Sequence, residues 1–123
     1  MDPTIKEAMQ RQVAMEPFAN KLGLKLIDVD EGYALIEMKC TKEMENIFQM
    51  THGGAIFTLI DEAFEISCNS HGTVAVALNV NITYHKAPTP ESTLRAEACL
   101  LYTSPSPRDN QPHLGCRLLL VKR

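Results

Sequence analysis

The chain lacks the features of a membrane or secreted protein. None of its apolar runs approaches the roughly 20 residues that span a bilayer. Its start, MDPTIKEAMQRQ, is polar and has no apolar segment of the kind that directs secretion. The net charge of −3 makes the chain as a whole a poor electrostatic partner for nucleic acid or an anionic membrane. We therefore expect a cytoplasmic protein that binds neither membranes nor nucleic acid.

Signatures of phosphate, dinucleotide and metal binding are also missing. The sequence has no P-loop and no glycine-rich dinucleotide fingerprint, and its histidines lie scattered without a carboxylate at ligand spacing. The four cysteines are far apart and include no CxxC pair. This spacing favours reduced, mostly buried thiols over disulfides or a zinc site. We expect no metal and no cofactor.

What is present is the pattern of one globular domain with mixed secondary structure. A chain of 123 residues fits one domain with a real core. Asp2-Pro3 predicts the start of a helix that runs to about Met15. Residues 24–40 alternate between apolar and polar side chains around a Glu31-Gly32 turn, which predicts a β-hairpin.

The period changes to that of a helix between Gly54 and about Cys68, where apolar residues recur at steps of three and four. This helix is apolar over most of its circumference, so we expect protein to surround it. Residues 73–85 and 92–102 predict two further strands. The order of elements indicates an α+β fold, in which an antiparallel sheet curls around the single long helix.

The end of the chain follows a different pattern. Residues 103–115, TSPSPRDNQPHLG, contain three prolines and no periodicity, and only CRLLLVKR could form another strand. Two interpretations are open: a surface loop that leads to a final edge strand, or an end altered by truncation, frameshift or cloning. We therefore divide the chain into a main domain, residues 1–98, and an atypical C-terminal segment, residues 99–123.

A set of motif residues in the middle of the chain resembles a known family. Asn46, His52-Gly53-Gly54 and Asp61, within HGGAIFTLIDEAFEISCNSHG and followed by AVALNVNITYHKAPTPESTLRAEA, resemble the hotdog-fold acyl-CoA thioesterases of the hydroxybenzoyl-CoA thioesterase superfamily. The likeness is greatest to the phenylacetic-acid-degradation thioesterase group and covers about residues 16–98. It implies a curved antiparallel sheet around one long central helix, with a short N-terminal helix. It also implies a homodimer or a tetramer built as a dimer of dimers.

Chemistry explains why particular residues are needed at two positions of this motif. The first N–H groups of a helix have no intrahelical partner and lie at the positive end of its dipole, so Gly53, and also Gly54, could donate to a thioester oxygen. Asp61 borders the apolar stripe, and the resemblance assigns it the role of nucleophile or general base. In the family, one subunit supplies the acid and its partner supplies the turn.

Other positions carry weaker predictions. Asn46 resembles the family amide that orients water or the substrate carbonyl, although a loop asparagine in an Asx-turn is the alternative. His52 is predicted to shape the turn or to contact substrate. Further predicted substrate contacts, of which the last two would meet the phosphates of coenzyme A, are Gly54, Phe57, Glu65, Ala77, Asn79, Tyr84, His85 and Lys86.

The sequence therefore predicts hydrolysis of a medium-sized or aromatic, phenylacetyl-type acyl-CoA. Two alternatives stay open: a non-catalytic acyl-CoA-binding protein, including a subunit inactivated by its unusual end, and an acyl-thioester hydratase or dehydratase. The second resembles a pattern with a catalytic histidine before a proline-rich turn, whereas His52 precedes two glycines.

Overall fold

Helix α1 (Pro3–Met15) opens the computed structural model, which describes residues 1–72, 74–103 and 113–122. Asp2 caps it, since its Oδ1 accepts a hydrogen bond from the Thr4 N–H at 2.8 Å. The predicted N-terminal helix is confirmed. A second short helix, α2 (Pro17–Lys21), was not predicted, because Pro17 both stops the first helix and suits the first turn of the next.

The sheet has four antiparallel strands in the spatial order β1-β2-β3-β4. The first two, β1 (Lys25–Asp30) and β2 (Tyr33–Lys39), form the predicted hairpin. A short 3₁₀ helix, Lys42–Met44, follows them. The next strand, β3 (Thr93–Thr103), confirms the prediction for residues 92–102 and pairs with β2, while β4 (His113–Lys122) pairs with β3 at the edge.

The long helix α3 (Gly53–Asn69) packs on β2 and β3 and confirms the predicted buried helix. Its 17 residues extend for roughly 26 Å at the usual helical rise. Leu59, at the middle of α3, is 0% exposed, and so are Ile36 and Met38 on β2. The core therefore lies between this helix and the inner face of the sheet.

The turn of the hairpin is tied to the C-terminal end of α3 by a serine. The Ser70 hydroxyl accepts a hydrogen bond from the Gly32 N–H at 2.6 Å and donates one to the Ser67 carbonyl at 2.7 Å. Gly32 has φ +70°, which explains glycine at this turn. The C-terminal end of α3 is thus fixed to the turn between β1 and β2.

The strand predicted over residues 73–85 is wrong for residues 74–85, which form no strand. The apolar alternation is real, but Val74, Val76 and Leu78 are almost fully exposed. A strand needs a neighbouring strand to take up its N–H and C=O groups. Within the described part of the chain no strand lies beside this segment. Residue 73 and residues 104–112, most of the predicted loop, lie outside the described residues.

Three further sequence predictions concern the chain as a whole. No helix in the described part of the chain has the length and apolarity needed to cross a membrane. Among the described side chains, Cys40 and Cys68 are buried free thiols. The division of the chain at residue 98 stays a prediction.

Because α3 is enclosed, we expect a cavity at its centre to lower the free energy of unfolding substantially. Leu59→Ala should lower the free energy of unfolding by about 2–5 kcal/mol, because it deletes buried contacts and leaves a void. Met15→Ala, at a residue that is 78% exposed, should change it by less than about 0.5 kcal/mol. Urea unfolding followed by circular dichroism measures both. Equal, small losses in the two variants would contradict the enclosure.

Candidate active site

The loop before α3 is organised by the side chain of Asn46. Its Oδ1 accepts hydrogen bonds from the N–H groups of Phe48 at 2.8 Å and Met50 at 3.2 Å. The Asn46 N–H also donates to the Met50 carbonyl at 2.7 Å. This is the Asx-turn arrangement that the sequence left open as an alternative. The loop therefore has a defined geometry where it delivers the chain to the helix.

His52 caps the N-terminus of α3 and uses up one of its free amides. The imidazole Nδ1 accepts a hydrogen bond from the Gly54 N–H at 2.8 Å. The Gly53 N–H, in contrast, donates to no acceptor among the described residues. A donor at the positive end of the helix dipole remains for an incoming oxygen atom. Of the two glycine amides, only that of Gly53 is available in this arrangement.

Tyr84 lies directly against Gly53. Its hydroxyl donates to the Gly53 carbonyl at 3.0 Å, and its ring lies 3.5 Å from the position that a Cβ on Gly53 would take. An alanine would therefore fit here in ordinary contact. Tyr84 also lines a small cavity of about 260 Å³ beside α3, together with His85, Lys86 and apolar side chains.

Asp61 lies eight residues further along α3 and faces a larger cavity of about 810 Å³. Residues of α1, of α3 and of the exposed segment 74–77 line this cavity. Asp61 is half-buried. Burial raises the pKa of Asp61, and the negative charge of Glu16 raises that pKa further. The side chain is therefore a stronger base than an ordinary aspartate, in a cleft that a ligand could enter.

Acidic residues surround Asp61. Oxygens of Glu16, Glu62 and Glu65 lie within 4.8 Å of one another. Glu62 is only 4% exposed, so it does not belong to a solvated acidic surface. Burial raises the pKa of Glu62 to about 9, with contributions from a hydrogen bond with Glu16 and the charge of Glu65. The sequence did not identify Glu16 as part of this cluster, because its carboxylate comes near those of Glu62 and Glu65 only in the folded chain.

The structure places the predicted site residues in three groups. Asp61, Glu65 and Ala77 line the large cavity. Asn46, His52, Gly53 and Gly54 form the loop and the start of α3. Tyr84, His85 and Lys86 line the small cavity. Phe57 and Asn79 line neither of these two cavities, and the roles predicted for all of these residues stay predictions.

Gly53 and Asp61 are separated by about two turns of the same helix. Eight residues correspond to roughly 12 Å along the axis. An oxyanion donor and a nucleophile that act on one carbonyl group must each approach it to about 3 Å. Within one chain the two groups are therefore too far apart to act on the same carbonyl.

Comparison with known proteins gives matches over this central region. The sequence profile of the family described as Thioesterase superfamily matches residues 48–106. A putative esterase of Archaeoglobus fulgidus is 46% identical over 77 residues, 63% of this chain and 50% of that protein. Acyl-coenzyme A thioesterase PaaI of Escherichia coli is 41% identical over 80 residues, 65% of this chain and 57% of that protein. The chain thus spans about half the length of these curated relatives.

A solved structure extends the likeness to almost the whole chain. The E. coli PaaI protein from the phenylacetic acid degradation operon superposes with a TM-score of 0.83 at 30% identity, over 95% of this chain and 80% of that one. Its similarity includes the antiparallel sheet and the long helix described above. By its sequence and its hotdog fold, the chain belongs to the thioesterase superfamily.

Proposed function

We propose that the protein is an acyl-CoA thioesterase that cleaves a medium-sized or aromatic, phenylacetyl-type acyl-CoA into the free acid and coenzyme A. The observation that carries the proposal is the Gly53 N–H, which has no acceptor among the described residues, at the start of a helix that bears the half-buried Asp61. The E. coli relative supports the substrate class, since it is named as an acyl-coenzyme A thioesterase and comes from the phenylacetic acid degradation operon.

In the proposed reaction, the Gly53 N–H donates to the thioester oxygen as negative charge develops on it. Ionised Asp61 either attacks the carbonyl carbon, forming an anhydride that water then hydrolyses, or takes a proton from an attacking water. In both routes the C–S bond breaks and coenzyme A leaves as a thiolate that takes up a proton. The raised pKa of Asp61 favours either role, since basicity increases with pKa.

The distance between the two groups calls for a second copy of the chain. We propose a homodimer, or a dimer of dimers, in which Asp61 of one subunit meets Gly53 of its partner. The exposed apolar side chains Val74, Val76 and Leu78 support this assembly, because a second copy would remove them from water. Pairing with that copy would also satisfy the backbone of this segment. The alternating sequence of residues 74–85 would then be explained by a strand that forms in the assembly.

The two cavities suggest where the parts of the substrate bind. The large cavity beside Asp61 offers apolar walls from Phe64, Val76 and Ala77 for the acyl group. Lys86, at the exposed rim of the small cavity, offers a positive charge for the phosphates of coenzyme A, and the neighbouring His85 offers a hydrogen-bond donor.

Loss of the Asp61 carboxylate should abolish most of the activity. Asp61→Asn keeps the shape of the side chain and should lower kcat/KM for phenylacetyl-CoA by about 10³-fold or more, since it removes the nucleophile or base. Release of free thiol measures the rate. The control Asp30→Asn, on the exposed end of β1, should keep the parent rate. If Asp61→Asn stays within tenfold of the parent, Asp61 is not the reacting acid.

The Gly53 amide can be removed without breaking the helix. Gly53→Pro deletes the N–H at the first helical position, where proline is tolerated, and His52 already has the ψ of 136° that precedes a proline comfortably. We expect about a 10²–10³-fold loss of kcat. Gly53→Ala keeps the N–H and fits against Tyr84, so it should retain activity within a few-fold. Equal effects of proline and alanine, with unchanged circular dichroism, would exclude the amide as the donor.

Mixed dimers test whether the site is shared between subunits. Asp61→Asn and Gly53→Pro chains carrying different tags would be co-expressed, and the heterodimer purified through both tags. A shared site gives each heterodimer one intact site of two, so its activity should recover to about half of the parent. A heterodimer as inactive as the two single variants would show that both groups act from the same chain.

A further inference from the structure

The cluster of Glu16, Glu62 and Glu65 is not used in the reaction proposed above. Glu62 and Glu65 lie one turn apart on α3, and Glu16 comes from the junction between α1 and α2. One oxygen from each side chain lies within 4.8 Å of the other two. Two parts of the fold, α3 and the α1–α2 junction, therefore bring three carboxylates together.

The most buried member of the cluster is incompletely satisfied. Glu62 is 4% exposed, and its Oε2 has no hydrogen-bond partner among the described residues. The charged groups that act on it are two further acids, Glu16 and Glu65. A buried carboxylate is neutralised by a proton, paired with a cation or bound to a metal ion, because burying an isolated charge is very costly.

The geometry suits a cation with flexible oxygen coordination. For three atoms within 4.8 Å of one another, a point about 2.8 Å or less from all of them exists. Calcium–oxygen bonds measure about 2.3–2.6 Å, and calcium accepts carboxylates in irregular arrangements with water. Magnesium needs shorter bonds of about 2.0–2.1 Å in a strict octahedron. Glu16 and Glu65 also line the large cavity, so an ion and its water ligands can enter from that side.

We infer that Glu16, Glu62 and Glu65 bind one calcium-sized divalent cation, which joins the α1–α2 junction to α3. The inference departs from the expectation of no metal site, which the sequence favoured because Glu16 lies far along the chain from the other two residues. It does not depend on the thioesterase activity, because its ligands and its test are independent of substrate.

Calcium binding to the full-length protein tests this site directly. After treatment with a chelator and its removal, calorimetric titration with CaCl₂ should give one ion per chain, and a saturating concentration should raise Tm by about 5 °C or more. Glu62→Gln and Glu16→Gln keep the side-chain shape but remove a ligand charge. Each should weaken calcium binding by at least tenfold.

Control variants separate this site from weak binding to the acidic surface. Glu43→Gln, on the exposed 3₁₀ helix, should bind calcium like the parent protein. Absence of binding at millimolar calcium would overturn the proposal and leave a proton as the group that neutralises Glu62. Binding that is unchanged in Glu62→Gln, or a preference for magnesium over calcium, would overturn it as well. Urea unfolding of each calcium-free variant verifies that it is folded.

Discussion

The enclosure of α3 is the constraint on which the rest of the structure depends. A helix with apolar side chains over most of its surface must be covered on several sides, and in this chain the antiparallel sheet covers α3 mainly through β2 and β3. The N-terminal end of the helix reaches the surface, since Gly54 is exposed, whereas Cys68 and Ser70 at its other end are buried. The Gly53 N–H is therefore left without an acceptor among the described residues, while Leu59, six residues further on, is completely buried.

The burial of α3 also explains why the acidic side chains on this helix lie in such different surroundings. Asp61 and Glu62 are neighbours in sequence, yet one faces a cavity and the other is almost entirely buried, because successive helical residues point about 100° apart. In the proposed reaction the first is the useful acid, since a ligand can reach it. The second is buried beside Glu16 and Glu65, where the cation that we propose would offset the negative charges.

The sequence was sufficient for those parts of the fold that local patterns determine. Asp2 marked the start of α1, the alternation around Gly32 marked the hairpin, and the three- and four-residue spacing marked α3. Residues 74–85 show the limit of this reasoning, because alternation predicts a strand only where another strand is available.

For the candidate site, too, the sequence predicted what lies within one local motif but not the contacts between distant parts of the chain. The motif from Asn46 to Asp61 identified the loop, the helix start and the acid. The pairing of Glu16 with Glu62 and the contact of Tyr84 with Gly53 were invisible in the sequence, since each joins residues far apart along the chain. The separation of Gly53 from Asp61 could be calculated from helical geometry alone, and it leads to the shared site that we propose.

The cap formed by His52 has a consequence for the chemical form of its ring. Because Nδ1 accepts the Gly54 N–H, it carries no hydrogen, so the neutral ring bears its hydrogen on Nε2. The geometry of the backbone beside Gly53 therefore depends on the tautomer of a neighbouring ring.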